Sequence, residues 1–175
     1  MSGIAVIYKS KYGFTKKYAE LIAQKLDARL FQAAQIKPEQ LADFDLIIYG
    51  GGLYAGSING VSLVTKNPCK SLIVFTVGLA DPAETDFTEV IQRNFPQPLR
   101  EKVKVFHLRG GVNRAELSLV HKGMLAVFTK ALAKKDKTEL TGEDKAMLEI
   151  GGQSADFTDE ASIGPIIACA KNESI

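Results

Sequence analysis

Five short apolar runs rich in β-branched and aromatic residues alternate with segments whose apolar residues recur at helical spacing, and this alternation leaves few folds open to the chain. The first run, Ile4-Ala5-Val6-Ile7-Tyr8, shows no polar alternation, which suits a strand covered on both faces, as in parallel sheets. After it Phe14, Tyr18, Leu21, Ile22 and Leu26 fall on one helical stripe, with Lys16, Lys17, Glu20 and Gln24 off it. Further strands are expected at 29–33, 46–49, 72–75 and 103–108, with a turn at Pro38. Helical patterns cover 61–65 and 84–95, and a longer one carries Leu117, Val120, Met124, Phe128 and Ala131. Strand and helix in repeated alternation predict an α/β fold with a mostly parallel sheet and helices on both faces.

The polar stretch 134–153, with Gly151-Gly152, reads as a loop or excursion before a final helix near 161–170. Pro165 falls inside that helix and argues for a later start. With 175 residues, 46% hydrophobic and 24% charged, the whole of 1–175 is expected to form one domain with a full core. No apolar run approaches the roughly 20 residues needed to cross a bilayer, and the N-terminus has no signal-peptide pattern, so we expect a cytoplasmic protein with no transmembrane segment. Cys69 and Cys169 lie far apart, without the spacing of a redox dithiol or a zinc site, and read as small buried hydrophobes. A net charge of +2 without a block of Lys and Arg among aromatics gives no reason to expect a nucleic-acid partner.

Between the first strand and its helix stands Ser10-Lys11-Tyr12-Gly13-Phe14-Thr15. A helix N-terminus offers unpaired N–H groups and a partial positive charge, so a phosphate there gains backbone hydrogen bonds, with the Ser10 and Thr15 hydroxyls as further donors. Ser and Thr are also common helix caps, which is the plainer reading of the same letters. The loop is neither a Walker loop nor G-x-G-x-x-G, and a mononucleotide phosphate fits it better. In an open α/β sheet ligands sit beyond the carboxyl ends of the strands, where the loops after the first, third and fourth strands meet. The third is followed by Gly50-Gly51-Gly52-Leu53-Tyr54-Ala55-Gly56-Ser57 and the fourth by Thr76-Val77-Gly78-Leu79-Ala80-Asp81-Pro82. Glycines there admit a flat ligand close to the backbone, or simply make a tight turn, and Tyr54 offers an aromatic or polar contact.

With the pattern Ser/Thr-x-x-Gly-x-Thr after the first strand and these two loops, nearly the whole chain resembles the flavodoxin-like FMN proteins. The resemblance implies a doubly wound five-stranded parallel sheet of order 2-1-3-4-5. It also implies one FMN, its phosphate on Ser10, Lys11, Tyr12, Gly13, Phe14 and Thr15. The isoalloxazine would lie between Gly51, Gly52, Leu53, Tyr54, Ala55 and Gly56 on one side and Thr76, Val77, Gly78 and Leu79 on the other. Within that superfamily the chain looks most like the branch of menaquinone-dependent protoporphyrinogen oxidase, through the phosphate loop, Thr76-Val77-Gly78-Leu79-Ala80 and Leu108-Arg109-Gly110-Gly111 before a long helix. The basic, aromatic-rich segment of that branch is represented only by Asn113-Arg114-Ala115-Glu116, and the chain has no Trp.

Electron-carrier flavodoxins, as a family, are acidic and close the flavin between aromatic side chains, whereas this chain has a pI near 8.4 and no aromatic residue from Thr76 to Ala80. That favours a flavin-dependent oxidoreductase acting on a quinone, porphyrinogen or similar planar substrate over an electron carrier between redox-protein partners. Other residues are open to two readings. His121, on the face of Leu117, Met124 and Phe128, reads as a structural histidine before a catalytic base, and His107 is undecided. Lys9, Lys11, Lys16 and Lys17 are either solvated or raise the potential around the phosphate, and Arg109 serves a substrate carboxylate or a surface acid.

Overall fold

The computed structural model describes residues 3–173, the side chain of His121 excepted. Strands β1 (Ile4–Lys9), β2 (Arg29–Gln32), β3 (Leu46–Tyr54), β5 (Leu72–Gly78) and β6 (Lys104–Arg109) pair in parallel in the order β2-β1-β3-β5-β6. A two-residue strand, β4 (Ser57–Ile58), folds back antiparallel on β3. With β4 set aside, this is the expected order 2-1-3-4-5. The chain has the flavodoxin-like α/β architecture.

Successive strand residues point to opposite faces, and both faces are apolar, which is why the runs lack polar alternation. One face carries Ala5, Ile7, Ile47, Tyr49, Leu72 and Val74 against Leu41, Phe44 and Phe95. The other carries Val6, Ile48, Ile73 and Phe75 against Tyr18 and Ile22 of α1 (Phe14–Leu26) and Ile166 and Ala170 of α7 (Gly164–Glu173). Pro165 sits in the first turn of α7, where its missing N–H costs nothing, so the helix does begin later than 161. Among the described residues no helix is long and apolar enough to cross a membrane.

Four expectations need correction. The glycine-rich stretch 50–54 is not a loop but the end of the central strand, with Gly50 opposite Phe75, Gly51 opposite Thr76 and Gly52 opposite Val77. A Cβ on Gly50 would collide with the tip of the Phe75 ring, and one on Gly51 would stand 2.6 Å from Ile58 Cγ2. The chain actually reverses at Ala55 and Gly56, both with positive φ, 47° and 75°, as a two-residue hairpin turn demands. The expected helix 84–95 is shorter, α3 (Thr88–Asn94). It is preceded by a turn in which the Asp86 carboxylate accepts from the Thr88 N–H at 2.8 Å, and α2 (Ser62–Thr65) and α4 (Gln97–Arg100) are single turns.

The stretch 134–153 contains a helix, α6 (Gly142–Ile150). Thr141 Oγ1 accepts from the Asp144 N–H and the Asp144 carboxylate accepts from the Thr141 N–H, both at 3.1 Å, and Gly151 closes the helix at φ 58°. Finally, the long helix is present as α5 (Leu119–Leu132), but its apolar stripe does not cover the sheet: Val120, Met124, Val127 and Phe128 stay exposed. A short ribbon, β7 (Gly111–Val112) with β8 (Ala155–Asp156), ties the two ends of this excursion together.

Candidate functional site

The carboxyl ends of β1, β3 and β5 open into a cavity of about 990 Å³, at the upper end of the roughly 300–1,000 Å³ typical of sites for cofactors and small ligands. Its walls come from five directions. Ser10, Lys11, Tyr12, Phe14 and Thr15 form one end, Gly52 to Ala55 one side and Val77 to Leu79 the other. Gly110 to Asn113 close the base. Leu117 and the stripe of α5, with Val120, Met124 and Phe128, stand opposite with Glu143, Asp144 and Met147 of α6.

At the loop end, Gly13 takes φ 89°, a left-handed conformation that turns the chain into α1, and its N–H donates to Ser10 Oγ at 3.1 Å. No side chain caps α1, and among the described residues the N–H groups of Phe14, Thr15 and Lys16 have no protein acceptor. Three aligned donors, with no Cβ on Gly13 to block them, make a cradle for an anion. Thr15 is buried beside it. Gly13 itself faces an adjoining cavity of about 360 Å³ that also takes in Lys17 and Asn113.

Of the other residues singled out in the sequence, Gly51, Gly56 and Thr76 are not on the wall of the main cavity. Gly51 lies under Ile58, Gly56 forms the hairpin turn, and Thr76 is buried with its hydroxyl 2.6 Å from His107 Nδ1. The His107 ring also lies flat on Phe87, with centroids 3.7 Å apart. Burial pushes its pKa down to about 4, so it is a neutral packing residue behind the site. Tyr54 folds its ring back over the Gly52 backbone, and burial, then the nearby Tyr12, raises its phenol above the usual value.

Arg109 is engaged by the protein: its Nη2 is 2.9 Å from Glu149 Oε2, its Nε donates to the Leu79 carbonyl at 2.9 Å, and the guanidinium stacks on Phe157. Lys16 pairs with Glu20 and Lys17 with Asp156, while Lys11 stays on the cavity wall. The side chain of His121 lies outside the described residues. Both cysteines are free and partly buried, and burial raises both thiols, Cys69 to about 11.

Sequence reasoning missed the α5 wall and α6. The stripe on α5 was visible, but a stripe does not say whether it faces a core or a cavity. For α6 the usable signals were Thr141 and Gly151, a cap and a stop with nine residues between them in an otherwise polar segment. Gly110 and Gly111 are explained by packing: a Cβ on Gly110 would stand 2.6 Å from Val77 Cγ1 and one on Gly111 2.8 Å from the Phe14 ring.

A family model described as a flavodoxin domain matches residues 5–140. An uncharacterised protein of Methanocaldococcus jannaschii, MJ0298, is 27% identical over 105 residues, covering 57% of this chain and 64% of that protein, so the chain spans less than two thirds of its length. Similar solved structures include oxidised flavodoxin 2 from Bacillus cereus, 20% identical over 62% of this chain and 84% of that one, with a TM-score of 0.45. A flavoprotein from Lactobacillus acidophilus, solved in complex with FMN, is 14% identical over 62% of this chain and 93% of its own, with a TM-score of 0.41.

Proposed function

The chain belongs to the flavodoxin domain family, and from that premise we propose that it binds one FMN and acts as an oxidoreductase on a quinone, porphyrinogen or similar planar substrate. The N–H groups of Phe14, Thr15 and Lys16, with the Ser10 and Thr15 hydroxyls, take the phosphate at the positive end of α1. Lys11 adds charge on the same wall. The flat ring lies among Gly52, Leu53, Tyr54 and Ala55 on one side and Val77, Gly78 and Leu79 on the other. Gly51 and Thr76 lie in the strands behind that slot, and Gly56 turns the hairpin that follows Tyr54. When bound, FMN supplies the one- and two-electron chemistry that the side chains lack.

The observation that carries the oxidoreductase reading is the apolar wall on the far side of the cleft. Val77, Gly78 and Leu79 set no aromatic ring over the slot, and the exposed stripe of α5 stands across from it. A second planar molecule therefore has an apolar wall to lie against. Likeness to the branch of menaquinone-dependent protoporphyrinogen oxidase rests on the short motifs of the phosphate loop, 76–80 and 108–111, and supports the same class of substrate.

Visible spectra during anaerobic reductive titration, followed by mixing with a quinone, test this. The expected result is a yellow protein that the quinone reoxidises with turnover. A protein that stays colourless with added FMN overturns the whole reading. Reduction in two separated one-electron steps with no turnover of any planar acceptor overturns the oxidoreductase part in favour of a carrier.

A further inference from the structure

Among the described residues, Glu143 is the acid on the cleft wall without a hydrogen-bond or ion-pair partner. It stands in the first turn of α6, where Asp144, its neighbour, is held by the Thr141 N–H at 3.1 Å and by Lys135 Nζ at 3.6 Å. Glu143 has no hydrogen bond or ion pair among the described residues. Its Oε1 would lie 3.9 Å from a Cβ placed on Gly78, and Leu53 Cβ would lie 3.5 Å from the same point. The carboxyl thus hangs over the junction of the two walls between which the ring is proposed to lie.

Resting on the FMN reading above, we propose that Glu143 binds the flavin as a neutral acid, donating its O–H to an acceptor atom of the ring, so that FMN binding is coupled to protonation of this carboxyl. A ligand seated against Gly78 removes the remaining water from Glu143, and an ionised carboxylate lying anywhere but at the ring's single N3–H donor would face an apolar slot uncompensated. The oxidised ring offers several acceptor atoms, which an O–H satisfies and a carboxylate does not. Even without a ligand, burial first and the Asp144 charge second raise the carboxyl above its ordinary range. Among the described residues the titratable or charged groups sharing the wall are Lys11, Tyr12, Tyr54 and Asp144, with Lys135 on the far side of Asp144.

The test is the FMN dissociation constant from pH 5.5 to 8.5, measured by quenching of flavin fluorescence for the wild-type protein and Glu143→Gln. The phosphate's own titration is common to both and cancels in the ratio. The wild-type affinity is expected to fall relative to that of E143Q by up to about tenfold per pH unit above the carboxyl's pKa. E143Q, whose amide still donates, keeps the affinity that the wild type shows at low pH.

Calorimetry of FMN binding to the wild type at pH 8, in buffers of different ionisation enthalpy, gives a second measurement that needs no variant. The phosphate is already ionised there, its second pKa being about 6, and uptake of protons by the protein on binding is expected. Parallel pH profiles, a wild-type affinity that rises with pH relative to E143Q, or no proton uptake overturns the proposal while leaving FMN binding intact. Failure of both proteins to bind FMN at any pH overturns the FMN reading together with it.

Discussion

At His107 the imidazole is stacked on Phe87, holds the Thr76 hydroxyl and is neutral down to about pH 4, whereas in the unfolded chain it titrates near 6.5. Between those values the unfolded state binds a proton that the native state refuses. The stabilisation is therefore complete above pH 6.5 and is lost as pH falls towards 4. Urea midpoints of the wild type and His107→Gln should lie furthest apart at pH 7 to 8 and converge by pH 4.5, and a gap that is constant with pH would contradict this. His107 shows what a residue's neighbours add to its identity. A strand histidine is legible in sequence, but its partner Thr76 lies on another strand. Gly50 repeats the lesson: next to two more glycines it looks like a ligand loop, and only the register with Phe75 reveals that it makes room for a ring.

The helix α6 carries Glu143 and Asp144 to the cleft, and its start depends on the reciprocal pair of Thr141 and Asp144. Thr141→Ala removes an acceptor from the first turn and is expected to cost about 1 kcal/mol, read from urea unfolding, with the loss of amide protection concentrated in 142–150. Uniform loss of protection across the central strands would show that α6 is not a separate cooperative piece. The element scale also separates what periodicity can and cannot reveal. Strands β1, β3, β5 and β6 and the helix α1 announce themselves because burial on both faces, or on one stripe, leaves a strong apolar pattern. In α6 the buried apolar residues are only Ala146 and Ile150, so the pattern is faint although both caps are present. In α5 the pattern is strong and the burial absent, because the stripe faces a cavity.

For the whole molecule the proposed ligand is a stability term. On the proposed reading FMN would bind the folded cradle at α1 and not the unfolded chain, so at a concentration 100 times its Kd it would add about 2.7 kcal/mol and raise the Tm of a chain this size by roughly 5–10 °C. Scanning fluorimetry with FMN and with riboflavin measures this, and riboflavin, without the phosphate, should give a much smaller shift; equal shifts would remove the phosphate loop from the binding account. The sequence by itself determined the class of fold, the sheet order through its family likeness, and the place of the loop and helix start where the anion cradle is proposed. Each of these depends on local periodicity or on a contiguous motif. Tertiary structure alone decided which glycines face the cleft, that the stripe of α5 walls a cavity, and that an acid from α6 hangs over Gly78. Those features are contacts between residues distant in the chain, set by strand register and by how the excursion after β6 folds back.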